Sequence, residues 1–158
     1  MTTVGFSGHQ KIPEQSVAYI IDGMARHLHT VPRPLIGLTS LAAGADQMFA
    51  RLVLELGGSL RLVIPSQDYL STFETDDDRA SFQELVRQDL RPLILNFDVP
   101  SEDAFFAAGR AVVEGADEML VVWDGLPARG LGGTADVIGY AAEQGKPVTV
   151  VWPPGQRR

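Results

Sequence analysis

The sequence contains no cysteine in its 158 residues, which excludes a disulfide scaffold, a thiolate metal site and a cysteine nucleophile together. Basic residues are scarce: 13 Lys and Arg stand against 20 Asp and Glu, leaving a net charge of −7. Sequence-independent grip on a polyanion depends on Lys and Arg displacing counterions. The expectation is therefore no extended nucleic-acid partner. A lone phosphate held by backbone amides at a helix N-terminus escapes that argument. The opening MTTVGFSGHQ lacks the basic segment and apolar run of a secretory leader. No apolar run approaches the roughly 18 residues needed to span a membrane. The expected location is the cytoplasm, with no membrane partner.

What is present reads as one globular domain over residues 1–158, with 45% hydrophobic and 21% charged residues. Short apolar runs alternate with amphipathic stretches. Strands are expected at Thr3–Phe6, Leu35–Thr39, Leu60–Ile64, Leu93–Phe97, Glu118–Asp124 and Pro147–Trp152. Helical spacing marks Pro13–Leu28, a second helix carrying Met48, Phe49, Leu52, Val53 and Leu56, then Asp76–Gln88, Glu102–Gly115 and Thr134–Gln144. Asp76, Asp77 and Asp78 read as first-turn residues that complement the helix dipole, because they lack the spaced ligands of a calcium loop. Strands alternating with helices of this length indicate βαβ units. The fold class is α/β, a three-layer Rossmann-like sandwich with a mostly parallel sheet. Met119–Trp123 is continuously apolar and Val148–Trp152 is so but for Thr149, as strands covered on both faces require.

In such folds ligands bind beyond the carboxyl ends of the strands, where strand order reverses. The loops expected there are Ser7-Gly8-His9-Gln10, Ser40 to Asp46, Pro65 to Asp68, and Asp124 to Thr134. The last is the richest. Gly130, Gly132 and Gly133 precede a helix beginning near Thr134, and glycine permits the close backbone approach an anion needs. Thr134 can cap that helix or offer its hydroxyl to a phosphate. The loop is not a Walker loop, since no Gly-Lys-Ser/Thr follows, and the first strand is not followed by Gly-x-Gly-x-x-Gly. Ser7, Gly8, Ala43 and Gly44 are further candidate donors. His9 is either a satisfied loop residue or a ligand contact. Arg129 is a candidate phosphate clamp. Asp136 either favours the dipole of its helix or holds a ribose hydroxyl or base amine. Asp46 reads as a helix cap or loop brace, Asp124 as part of the rim, and Trp123 as packing. His27 and His29 look structural. No three residues of His, Asp or Glu show zinc spacing, so no metal and no cofactor is expected.

Ser-Gly at the first strand end, Leu41-Ala42-Ala43-Gly44-Ala45-Asp46 after the second strand and Gly132-Gly133-Thr134 before the penultimate helix together resemble the SLOG superfamily. That name joins the DNA-processing Smf/DprA proteins to the LOG phosphoribohydrolases. The resemblance spans nearly the whole chain and implies a Rossmann-like domain that binds a nucleotide or nucleotide-derived ligand, and dimers. The stretch from Asp124-Gly125 through Gly139-Tyr140-Ala141 to Gly145-Lys146-Pro147-Val148 is also similar to nucleoside 2-deoxyribosyltransferases. Both enzyme patterns imply a glutamate on this helix, three residues after the threonine in one and two before Gly-Tyr-Ala in the other. Both registers fall on Val137, which can neither attack an anomeric carbon nor stabilise an oxocarbenium ion. Asp136 is adjacent but about 100° around the helix.

The reading that follows is binding of a nucleotide or related phosphorylated small molecule, as a sensor or carrier. The catalytic alternative is N-glycosidic cleavage or transfer on nucleoside monophosphates, with Asp136 in place of the missing glutamate. A homodimer whose role is purely structural is the third class.

Overall fold

The computed structural model of the chain describes residues 1–128 and 130–158. Six strands, β1 (Thr2–Gly8), β2 (Leu35–Thr39), β3 (Ser59–Ile64), β4 (Leu93–Ile94), β5 (Glu118–Val122) and β6 (Val148–Val151), form one sheet in the order β4-β3-β2-β1-β5-β6. Every pairing is parallel. Among the described residues five α-helices connect them: α1 (Val17–Thr30), α2 (Ala45–Glu55), α3 (Asp76–Val86), α4 (Glu102–Gly115) and α5 (Thr134–Glu143). The α/β Rossmann-like class read from the sequence is the observed one.

The chain walks outward from β1 to β4, returns across the sheet, and walks out the other way from β5 to β6. Because βαβ crossovers keep one hand, reversing direction moves the helices to the opposite face. One core accordingly gathers Ile20, Met24, Phe49, Val53, Phe82 and Leu85 from α1–α3 with Val4, Phe6, Leu120 and Val122 of the strands. The other gathers Ala108, Val112 and Val113 of α4 and Val137 and Ala141 of α5 with Met119 and Val121. Successive β5 residues thus serve opposite cores, which is why that strand is apolar throughout. β6 differs. It is an edge strand: Val151 joins the first core and Val148 packs against the second, but Val150 is 49% exposed, so its cover is partial.

Local chemistry explains most element ends. β2 and α4 have the expected bounds. β1 runs two residues further at its carboxyl end, because Ser7 and Gly8 pair with Val121 and Val122 instead of opening a loop. α1 is preceded by a 3-10 turn at Glu14–Ser16, entered from Pro13. β4 pairs through Leu93 and Ile94 alone; the Phe97 N–H then turns back to the Leu95 carbonyl at 2.9 Å and the chain leaves the sheet. Thr75 caps α3, its hydroxyl accepting from the Asp78 N–H at 3.0 Å, so Asp76–Asp78 do occupy a first helical turn. No helix among the described residues is long and apolar enough to cross a membrane.

Ser101 caps α4, its hydroxyl accepting from the Ala104 N–H at 3.0 Å. Ser101→Ala is expected to cost about 1 kcal/mol, read as a lower urea midpoint at unchanged slope. A midpoint equal to wild type would remove the cap from the account of this helix.

Candidate functional site

β1 leads to β2 on one side while β5 lies on its other side, so the strand order reverses between β1 and β5. Over that point lies a cleft of about 660 Å³. Ser7, Gly8 and His9 reach it from the end of β1, Ser40, Ala42 and Ala43 from the loop after β2, and Gly132, Gly133 and Thr134 from the loop entering α5. Pro65 adds an edge from the loop after β3, so the structure brings together all four of the strand-end loops singled out from the sequence.

The α5 end is built from backbone. Gly133 is the N-cap residue and supplies no side-chain cap. Its carbonyl accepts from the Asp136 and Val137 N–H groups at 3.1 and 3.2 Å. The earlier N–H groups of a helix have no intrahelical partner and are the donors an anion can use. Thr134 is the first helical residue, not the cap. Its hydroxyl lies 3.5 Å from that of Ser7, and the residue is buried at the cleft wall. Gly132 adopts φ +87°, and a Cβ there would stand 2.7 Å from the Phe106 backbone nitrogen. Only glycine lets this loop rest on the start of α4.

Two expected contact residues sit behind the wall. The Asp136 carboxylate accepts from the Gly132 N–H at 3.1 Å, and the residue does not line the cleft. It braces the glycine loop from the third position of α5, so its geometry supports neither a ribose contact nor a catalytic carboxylate. Gly44 also lies outside the lining; it lets α2 start hard against Gln10. Arg129 lies outside the described residues. Val137 is buried in the α4–α5 seam and forms part of the apolar floor, its Cγ2 occupying the space a Cβ on Gly109 would need. The position at which the enzyme resemblances imply a glutamate thus presents hydrocarbon to the cleft.

His9 is buried, and its Nε2 accepts the Asp124 backbone N–H at 3.0 Å. Asp124 Oδ1 stands 3.2 Å from the same nitrogen, which accepts from the amide when neutral and pairs with the carboxylate when protonated. Trp152 meets the ring edge-on at 5.4 Å. Burial alone would push the Asp124 carboxyl up. The Leu126 N–H, the Arg158 guanidinium bonded to Oδ2 at 2.8 Å and the neighbouring His9 outweigh it, and hold the group below its usual range.

Asp46 lines the opposite end of the cleft. It is 6% exposed, and its Oδ2 accepts from the Thr39 hydroxyl at 3.1 Å and the Ala42 N–H at 3.3 Å. Burial pushes its carboxyl up to about 7 against the pull of these donors and the Ser40 backbone. It therefore braces the β2–α2 loop, as expected, and also faces the ligand space. The burial of Tyr69, and then the nearby Asp46 charge, push that phenol well above its usual range. Tyr69, Phe73 and Phe105, with Arg158 at the rim, complete the walls. None of these four was among the expected site residues. The one pointer to the first pair was the strand-end loop Pro65–Asp68, directly ahead of Tyr69.

An all-parallel sheet with glycine loops converging on its switch point defines the Rossmann-like class. No protein-family model matches the chain, and no curated protein matches it. Solved structures do. The chain is similar to DNA processing protein A from Helicobacter pylori (TM-score 0.70, 19% identity, 98% of this chain and 67% of that one). It is also similar to DprA from Streptococcus pneumoniae (TM-score 0.65, 22% identity, 94% of this chain) and spans half the length of that protein. A third neighbour is the Chlamydomonas rheinhardtii Moco carrier protein (TM-score 0.55, 17% identity, 94% and 74% coverage). At these identities the likeness is one of fold, and it supports the SLOG-like resemblance at that level.

One expectation is overturned here. Extended nucleic acid was excluded on the net charge, yet the Helicobacter pylori neighbour, with the same fold, has a single-stranded DNA binding mode. The charge total is a poor basis for exclusion. Single strands are gripped by local donors and by stacking in one groove, and a summed charge does not report the potential there.

Proposed function

We propose that the protein binds a nucleotide or nucleotide-derived phosphorylated ligand in this cleft and acts as a sensor or carrier. The observation that carries the reading is the convergence of three strand-end loops, with glycine, hydroxyl and free helix-start donors, on a cleft of about 660 Å³ at the sheet's switch point. Its size lies within the range of small-ligand pockets. The phosphate rests on the first turn of α5, beside the Ser7 and Thr134 hydroxyls. Neutral donors suffice there, so an acidic chain is no obstacle. The apolar Val137 in the floor favours retention of the ligand over cleavage of it.

Thermal denaturation with nucleoside mono-, di- and triphosphates and ADP-ribose tests the reading. At a hundredfold excess over Kd a ligand contributes about 2.7 kcal/mol, which for a chain of this length raises Tm by about 5–10 °C. Thr134→Val keeps the volume and removes the hydroxyl. It is expected to weaken phosphate-bearing ligands about tenfold while leaving the free nucleoside unaffected. Absence of any shift across the panel would refute the proposal. Release of free base in the same incubations would replace it with the glycosidase reading.

A further inference from the structure

Asp46 poses a question that the phosphate site leaves open. Its carboxyl is buried at the carboxyl end of β2, and every group bonded to it is a neutral donor: the Thr39 hydroxyl and the Ala42 and Ser40 backbone. A buried carboxylate is costly unless a cation or enough donors compensate it. The titratable and charged groups that line the cleft with it are Tyr69 from the β3–α3 connection, His9 and Lys11 after β1, Glu102 on α4, and Arg158, which is bonded to Asp124 at 2.8 Å. Tyr69 is a neutral phenol, Lys11 is solvated and 4.0 Å from Glu74, and His9 is turned to Asp124. Among the described residues no cation forms an ion pair with Asp46. A carboxylate offers about four acceptor sites, and three donors are in place.

Resting on the proposed phosphate site, we infer that Asp46 is the specificity-determining residue of the cleft, accepting an N–H donor from an amino-bearing heterocycle on the same ligand. The placement fits the span of a nucleotide. Ser7 of β1 and Thr134 after β5 mark the phosphate end, and Thr39 of β2 marks the Asp46 end, one to two interstrand spacings away, about 5–10 Å, so one molecule can reach both. Tyr69, close enough to feel the Asp46 charge, and Phe73, edge-on to the Tyr69 ring at 5.3 Å, wall this end with rings, which suits a flat heterocycle. The carboxyl's raised value, about 7, leaves its ionisation balanced near neutrality, and an arriving donor favours the ionised form.

The test compares ligands that differ by the amine. Adenosine 5′-monophosphate is paired with purine riboside 5′-monophosphate, and cytidine with uridine 5′-monophosphate; ribose 5-phosphate probes the phosphate end alone. Calorimetric titration is expected to show the amino-bearing member of at least one pair binding about tenfold tighter or more. In Asp46→Asn the amide oxygen stays with Thr39 and Ala42 and its NH₂ faces the ligand, donor against donor. The discrimination should then fall within twofold, with ribose 5-phosphate binding unchanged. In the wild type the preference should grow from pH 6 to pH 8 as Asp46 ionises, a readout that needs no variant. Equal affinities within both pairs, or discrimination that survives both Asp46→Asn and the pH change, would overturn the inference while leaving the phosphate reading intact. Failure of every phosphate, ribose 5-phosphate included, would sink both.

Discussion

Lowering the pH from 7.5 to 5 is expected to stabilise the ligand-free protein, and Asp46→Asn to abolish that gain. The folded Asp46 carboxyl titrates near 7, against 3.8 for an ordinary aspartate, because burial disfavours its charge more than the Thr39, Ala42 and Ser40 donors favour it. Between those two values the folded state holds a proton that the unfolded chain has lost. Stability therefore falls as the pH rises through this window, by at most about 4 kcal/mol. Asp124 acts in the opposite sense but elsewhere. Its folded value lies below 3.8, so its contribution is present above that pH and is lost only in stronger acid. The two windows do not overlap, and the stability maximum from this pair should fall where they meet, near pH 4. Urea unfolding at pH 5, 6, 7 and 8 reads the slope directly. Asp46→Asn, uncharged throughout and still able to accept from Thr39 and Ala42, should lose this descending component of the profile and match or exceed the wild type at pH 8. A flat wild-type profile would mean that Asp46 is not confined as the structure has it. Saturating amino-bearing ligand should flatten the wild-type slope as well, since a bound donor compensates the charge.

The sheet was largely legible because its periodicities are strong. Leu35–Thr39 and the Ser101-capped helix ending at Gly115 carry every local signal in agreement, and their bounds coincide with the observed elements. Where two signals compete, sequence reading misplaces an end. Ser7 and Gly8 have loop chemistry but strand pairing, and Leu95–Phe97 have strand composition but a turn. The cleft was legible through its loops, since strand-end loops of an α/β sheet must meet. Its aromatic walls were not. Phe105 sits on a helix whose apolar spacing reads as core, and Tyr69 follows a strand end by a few residues whose path no local rule sets. Asp136 and Gly44 show a different limit. An acid in the first turn of a helix and a glycine at its entry serve a ligand or the chain's own backbone equally well, and only the contact made distinguishes them. Here the contacts are the Gly132 N–H and the Gln10 carbonyl.

That distinction makes Gly44→Ala the most severe single substitution expected at the site, through folding and not through affinity. Gly44 holds φ +80° and ψ −125°, a region that residues with a Cβ scarcely enter. A Cβ there would lie 2.1 Å from the Gln10 carbonyl oxygen and 2.6 Å from its carbon. The obstacle is backbone, in a segment held on both sides: the His9 N–H donates to the Val122 carbonyl at 3.2 Å, and the His9 carbonyl accepts from the Ala45 N–H at 3.1 Å. Neither strand end can retreat without breaking one of these bonds. The expected loss is about 3 kcal/mol or more, the backbone strain adding to a broken buried hydrogen bond. Gly57 is the control. It shares φ +80° but has nothing within 4 Å of a Cβ, so Gly57→Ala should cost only about 1 kcal/mol, the price of the left-handed conformation alone. Chemical denaturation of both variants without ligand separates the two contributions. If Gly44→Ala folds as stably as Gly57→Ala and loses only ligand affinity, then Gly44 touches the ligand and the packing of α2 against Gln10 is not what fixes that residue. If it unfolds, the glycine of the Ala-Ala-Gly-Ala-Asp loop holds the end of β1 and the start of α2 in register, and the Ser7 and Ala43 walls stand opposite each other because of it.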